Sequence, residues 1–171
     1  MVTQSEIDER AGGEQAAPST RWRRRLWRYA PLVGWIGFIF FASTGAMSAS
    51  NTSRIIAPLF RWLFPNITEA QLLSVHFAVR KGAHLTEYAV LALLAARAFI
   101  PSTRQFLHRR WFIAALALVA LVALLDEYNQ SFNVARTGTI WDSLIDVSGG
   151  TIALVVFSLW RMRRRRRERL K

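Results

Sequence analysis

Long runs without charge alternate with short arginine-rich segments along this chain. From Ala30 to Met47 no residue is charged. A second apolar run, about Ala83–Ile100, contains Glu87 and Arg97 and is closed by Pro101. A third, about Trp111–Tyr128, stays apolar until Asp126, and a fourth, about Ser143–Trp160, is broken by Asp146 and small residues. Each run is about 18 residues, within the range a helix needs to cross a hydrocarbon core. The pattern predicts an all-α integral membrane protein, a bundle of four transmembrane helices.

A different period occupies the segment between the first two runs. Ile55, Ile56, Leu59, Phe60 and Leu63 recur at helical spacing, with Arg54 and Arg61 between them. This predicts a short amphipathic helix lying at the membrane interface. Pro58 is expected to distort or restart it, and Pro65 to end it. Thr68 is followed three positions on by Gln71, a capping-box arrangement. It opens a helix through "EAQLLSVHFAVRK" that continues into the second span. His76, alone on a mixed face there, is read as structural.

Met1–Thr20 is polar and without apolar period, so it reads as a disordered tail. Arginines follow at 21, 23, 24, 25 and 28. A basic flank before an apolar run is a secretory signal or an anchor. The length of the run and the further spans favour an uncleaved first span, with "SAS" at Ser48–Ser50 as the alternative cleavage site. Gly34, Gly37 and Gly45 offer close helix contacts. The expected organisation is a disordered tail with a basic anchor at 1–28, a membrane domain at 29–160, and a polybasic tail at 161–171.

The chain is 52% hydrophobic yet carries a formal net charge of +12 over 171 residues. Those figures are compatible only when apolar and basic residues are segregated. No groove-reading motif accompanies the charge, so nucleic acid is not an expected partner. The absence of cysteine excludes disulfides and thiolate chemistry. In a four-span chain both termini and the loop with Arg104, Arg109 and Arg110 share one side. They hold most of the positive charge, which makes that side cytoplasmic. The expected location is the plasma membrane of a bacterium, with several crossings and both termini inside. Polybasic ends also adhere to anionic lipid.

That topology gathers the in-membrane polar residues at one depth. His84, Glu87 and Tyr88 open the second span at its outer end. Asp126, Glu127 and Gln130 close the third, and Asp142 and Asp146 open the fourth. Asp126 lies roughly 22 Å along the helix from Trp111, near the outer edge. A carboxylate at mid-membrane costs roughly 2.5–3.5 kcal/mol on insertion scales. The five carboxylates must therefore sit near water, pair with a cation, or share protons. Arg136 on the third-to-fourth loop is the nearest cation in sequence, and Lys81 and Arg80 are next. The bland alternative is capping: Asp142 suits a helix N-cap, and His84 and Glu87 could serve the second span similarly.

Three segments, "RKGAHLTEYAVLALL", "DEYNQSF" and "ARTGTIWDSLIDVSGG", resemble the VanZ-like family of small bacterial membrane proteins over roughly Ile36–Leu159. The family's Lys-x-x-His-x-x-x-Tyr falls on Lys81, His84 and Tyr88. Its Glu with Gln three positions on falls on Glu127 and Gln130, and its Gly-Arg-x-Gly-like turn on Arg136 and Gly138. Its Asp-x-x-x-[Asn/Asp]-x-x-Gly falls on Asp142, Asp146 and Gly149. Ala135 stands where a glycine often precedes the arginine. The resemblance implies a place in the cell envelope and, for the namesake, low-level teicoplanin resistance. It implies no established reaction.

Three functions compete. In the first, the polar layer binds a membrane lipid head group or an amphiphilic antibiotic, with Arg136 and Lys81 suited to phosphate and the carboxylates to an amine or sugar hydroxyls. In the second, the chain is an enzyme acting on a lipid or lipid-linked precursor through His84, Glu87, Asp142 and Asp146, by acid–base chemistry or a divalent metal. No lipid-phosphatase Ser-Gly-His piece, Gly-rich phosphate loop or His-Glu-x-x-His helix supports that reading. No cofactor or metal is assigned. The third is a transporter, for which four spans without an internal repeat would require a homo-oligomer.

Overall fold

The computed structural model describes residues 18–43, 49–131 and 140–170. It is helical, with no strand among the described residues. The helices are α1 (Pro18–Ser43), α2 (Ala49–Leu63), α3 (Glu69–Phe99), α4 (Gln105–Arg109), α5 (Trp111–Ser131) and α6 (Ile140–Arg169). The expected disorder of Met1–Thr20 falls mostly outside the described residues, as do Gly45, Arg136 and Gly138. The arginine cluster from 21 to 28 is not part of a tail; it rides on the first turns of α1.

Among the described residues, three helices are long and apolar enough to cross a membrane: Trp22–Ser43, Trp111–Ser131 and Ser143–Arg169. The expected span at Ala83–Ile100 does not meet that standard. It lies inside the 31-residue α3, which carries Arg80, Lys81, His84, Glu87 and Arg97. Large apolar side chains nevertheless cover the outside of the bundle, among them Val33, Phe41, Ile113, Leu121, Leu125, Ile152 and Val156. An apolar exterior of that extent is tolerated in lipid, not in water.

Inside, α3 is the central element. Its inward stripe is Tyr88, Leu91, Ala92, Ala95, Ala96 and Ala98, all fully buried. Mostly alanine, the stripe lets neighbouring backbones approach, which is how packing is gained where lipid supplies no hydrophobic drive. Against it lie Leu32 and Ile39 of α1, Ala115, Val119, Val122 and Ala123 of α5, and Leu154 of α6. The α3–α6 contact is the most extensive. Gly149 makes it possible, and Gly150 does the same for the neighbouring α5–α6 contact. A Cβ on Gly149 would stand 2.6 Å from the Leu85 carbonyl oxygen, and one on Gly150 would stand 2.7 Å from Val119 Cγ1. The glycines expected to do this work, Gly34 and Gly37, have open space where a Cβ would go.

Thr68 caps α3 as its sequence predicts. The Gln71 backbone N–H donates to Thr68 Oγ1 at 3.3 Å, and the Thr68 N–H donates to Gln71 Oε1 at 2.9 Å. The helix ends at Phe99, just before Pro101. In α2, Pro58 does not break the helix. The carbonyl it deprives of a partner belongs to Arg54, which is exposed, so water can satisfy it. Arg61 and Glu69, 2.6 Å apart, close the hairpin between α2 and α3.

The far end of the bundle is aromatic and basic. Trp111 and Phe157 meet edge to face at 6.0 Å. Arg161 lies over the Trp111 ring at 5.8 Å, and Arg164 over Trp160 at 5.7 Å. Tyr29 of α1 and Ser102 come within 3.4 Å at the same end.

Candidate functional site

Opposite the arginines, four helices bring polar side chains into one layer. Asp126 of α5 is 1% exposed and forms its centre. One oxygen, Oδ2, accepts two hydrogen bonds: from Gln130 Nε2 at 2.8 Å, one turn along α5, and from the Tyr88 hydroxyl of α3 at 3.3 Å. The spacing of Asp126 and Gln130 puts them on one helix face, which is why the first bond forms. Gln130 Nε2 also donates to Ser43 Oγ at the end of α1, 3.3 Å away. One carboxylate thus ties α1, α3 and α5 together.

His84 of α3 forms the second focus. Its Nδ1 lies 3.6 Å from Asp146 Oδ1 of α6 and 3.9 Å from Glu87 Oε2 on its own helix. Asp146 is 3% exposed. The close approach that Gly149 permits, three residues along α6 from Asp146, sets this distance. Ligand-type atoms of His84, Asp126 and Asp146 all lie within 4.8 Å of one another, so the two foci are one cluster. Nearby, Ser143 Oγ donates to the Ala123 carbonyl at 3.4 Å, holding α6 to α5.

The remaining expected residues divide. Glu127 is half-buried beside Asp126 on α5. Lys81 is half-buried one turn before His84, its Nζ 5.4 Å from the Phe77 ring centroid. Asp142 lies in the first turn of α6, its side chain outside the described residues. Arg136 lies outside them altogether, so its expected role as the site's cation has no structural counterpart here. Two residues the sequence reading did not single out belong to the arrangement. Ser43 holds Gln130, and Trp35 donates its Nε1–H to the Glu87 backbone carbonyl at 2.9 Å, fixing α1 against this turn of α3. Ser43 was findable as a polar residue ending an apolar run at the depth of the others. Trp35 carried no signal, being one aromatic among many.

Chemically, the cluster combines an imidazole, two buried carboxylates, a phenol and an amide. Such a set can bind a cation, accept hydrogen bonds from amines or hydroxyls, or move a proton. An apolar groove of about 550 Å³ lies between α3 and α6, lined by Leu85, Leu93, Gly149, Val156, Phe157 and Trp160 among others. Its lining includes Leu85 and Gly149, the contact that brings Asp146 to His84, but none of the cluster's own side chains.

A small helical membrane protein with its polar residues gathered between helices is the class this architecture defines. The profile of the VanZ/LLP1 family matches residues 28–161, and the chain belongs to that family. No curated protein and no solved structure matches it.

Proposed function

We propose that the chain is a four-span protein of the bacterial plasma membrane whose outer-half polar cluster binds the head group of a lipid or other amphiphile. By this reading it contributes to tolerance of teicoplanin-type glycopeptides. The observation that carries it is the cluster itself. His84, Glu87, Tyr88, Asp126, Gln130 and Asp146 come from three helices and meet in the interior, where a purely capping role would leave them apart. Intramembrane ionisable groups are costly and mark functional sites by default.

Several features support the finer points. Helix α3 packs in the middle of the three clearly apolar helices, as a fourth span would. Glu69 and Arg97 lie near its ends, and Glu87 approaches His84 at 3.9 Å. Arginines at one end and carboxylates at the other fit an inside-positive orientation with both termini cytoplasmic. The groove between α3 and α6 suits an acyl chain. Along α6 from Gly149 to Trp160 it runs about 16 Å, close to one leaflet's depth. Carboxylates suit amine or sugar hydroxyl donors on the head group.

A membrane-embedded enzyme acting on a lipid-linked precursor is the second reading, and the His84–Asp146 pair at 3.6 Å is the feature in its favour. Native mass spectrometry in mild detergent tests the first. Wild-type protein should retain an amphiphile that His84→Ala and Asp146→Asn lose, with teicoplanin tolerance lost in parallel at equal membrane levels. Unchanged retention and tolerance in both variants would leave the cluster purely structural.

A further inference from the structure

We propose that His84, Asp126 and Asp146 bind a single divalent transition-metal cation of the zinc class at the meeting point of α3, α5 and α6. The inference rests on the cluster being the chain's working site, and adds the ion that site would hold. Three independent features lead to it.

The first is spacing. One nitrogen and two carboxylate oxygens, each from a different helix, lie within 4.8 Å of one another. With bonds of about 2.1 Å, tetrahedral ligands stand roughly 3.4 Å apart. The His84 Nδ1 to Asp146 Oδ1 separation of 3.6 Å is close to that, and beyond hydrogen-bonding distance.

The second is Asp146. It is 3% exposed and lies 3.6 Å from His84 Nδ1, an approach too long for a hydrogen bond. Burying a carboxylate in that state is expensive. Its oxygen points into the space shared with His84 and Asp126. The two ligand carboxylates carry two negative charges, which a divalent ion balances, while Lys81 lies close enough to offset part of the charge of Glu87 and Glu127 nearby. That balance is what a low-dielectric interior demands.

The third is support from behind the ligands. The Tyr88 hydroxyl and Gln130 amide both grip Asp126 Oδ2, fixing the plane of the carboxylate. Ligand carboxylates at metal sites are characteristically held this way. A mixed nitrogen and oxygen set without thiolate suits zinc; magnesium and calcium prefer oxygen alone. Three protein ligands leave a fourth position for water or a head-group oxygen. Glu87 Oε2 lies 3.9 Å from His84 Nδ1, outside the three-ligand set.

The test uses the full chain, purified in mild detergent through a tag without histidines, stripped with chelator and titrated with Zn²⁺ by calorimetry. Wild type should take up one ion per chain. His84→Ala, Asp126→Asn and Asp146→Asn should lose binding, and His76→Ala, on the projecting part of α3, should bind as wild type. Tyr88→Phe should weaken binding about 10–100-fold, as loss of a supporting hydrogen bond does. No uptake by wild type, or wild-type affinity in Asp146→Asn, would overturn the site. Should the ligand variants fail to fold, the wild type decides: its Tm should rise with stoichiometric Zn²⁺ and fall again with chelator, and an unmoved Tm refutes the proposal. Native mass spectrometry on the same samples separates the two readings. An amphiphile retained by a chain that takes no zinc removes only the ion. Zinc bound without any amphiphile supports the ion and removes the head-group reading.

Discussion

At the scale of single residues, Gly149 shows how tightly the packing fixes the chemistry. Its missing side chain lets α6 lie against the backbone of α3 at Leu85, and so lets Asp146 face His84. Gly149→Ala places a methyl 2.6 Å from a carbonyl oxygen that belongs to the backbone and cannot rotate away. Overpacking of this kind costs about 1–3 kcal/mol. Thermal unfolding in detergent should show that loss, while Gly34→Ala, with open space at its Cβ, should stay within about 0.5 kcal/mol of wild type. Much of the cluster was legible beforehand. The depth and type of His84, Asp126 and Asp146 follow from counting residues along apolar runs. Which atoms touch did not follow. Tyr88 bonding Asp126 depends on the rotation of α3 against α5, and helical periodicity leaves that angle open. The glycine pair was misassigned for a similar reason: composition shows where small residues are, and only packing shows which ones are pressed.

At the scale of elements, the local signals read most directly are the ones that need only a few consecutive residues. Thr68 and Gln71 meet the capping rule and cap α3 from both directions. Thr68→Ala should cost about 0.5–2 kcal/mol. Because α3 is anchored by the bundle from Tyr88 onward, the loss should be local. Hydrogen exchange should quicken at Glu69–Leu72 and stay unchanged at Leu91–Ala96; a global speed-up would contradict the picture of a separately capped outer segment. Pro58 is the opposite case. The rule that proline breaks helices assumes a carbonyl that cannot find another partner, and the exposed surface of α2 removes that assumption. Helix α3 itself was harder to assign. Its polar residues lower its average hydropathy, but a helix buried among others need not be apolar all round.

At the scale of the whole molecule, the segregation of charge is the organising fact. Arginine clusters on α1, α4 and α6 meet at one end, and the acidic cluster lies at the other. Reporter fusions should place residue Gln105 and both termini in the cytoplasm, with a reporter inserted between 132 and 139 outside. A cytoplasmic signal from that insertion would invert the assignment and turn the cluster toward the inner leaflet. The family match spans residues 28–161, which include every residue of the acidic cluster.

Helix α6 runs unbroken from the turn that carries Asp146 to Arg169. No proline interrupts it, and after Gly150 no glycine loosens it. At about 1.5 Å per residue it is a shaft of roughly 45 Å, longer than the hydrocarbon layer it would cross. A shaft turns as one piece. Whatever anchors the arginines at its C-terminal end also sets the azimuth of Asp146 near its N-terminal end, so the two ends of the bundle are coupled through one rigid helix.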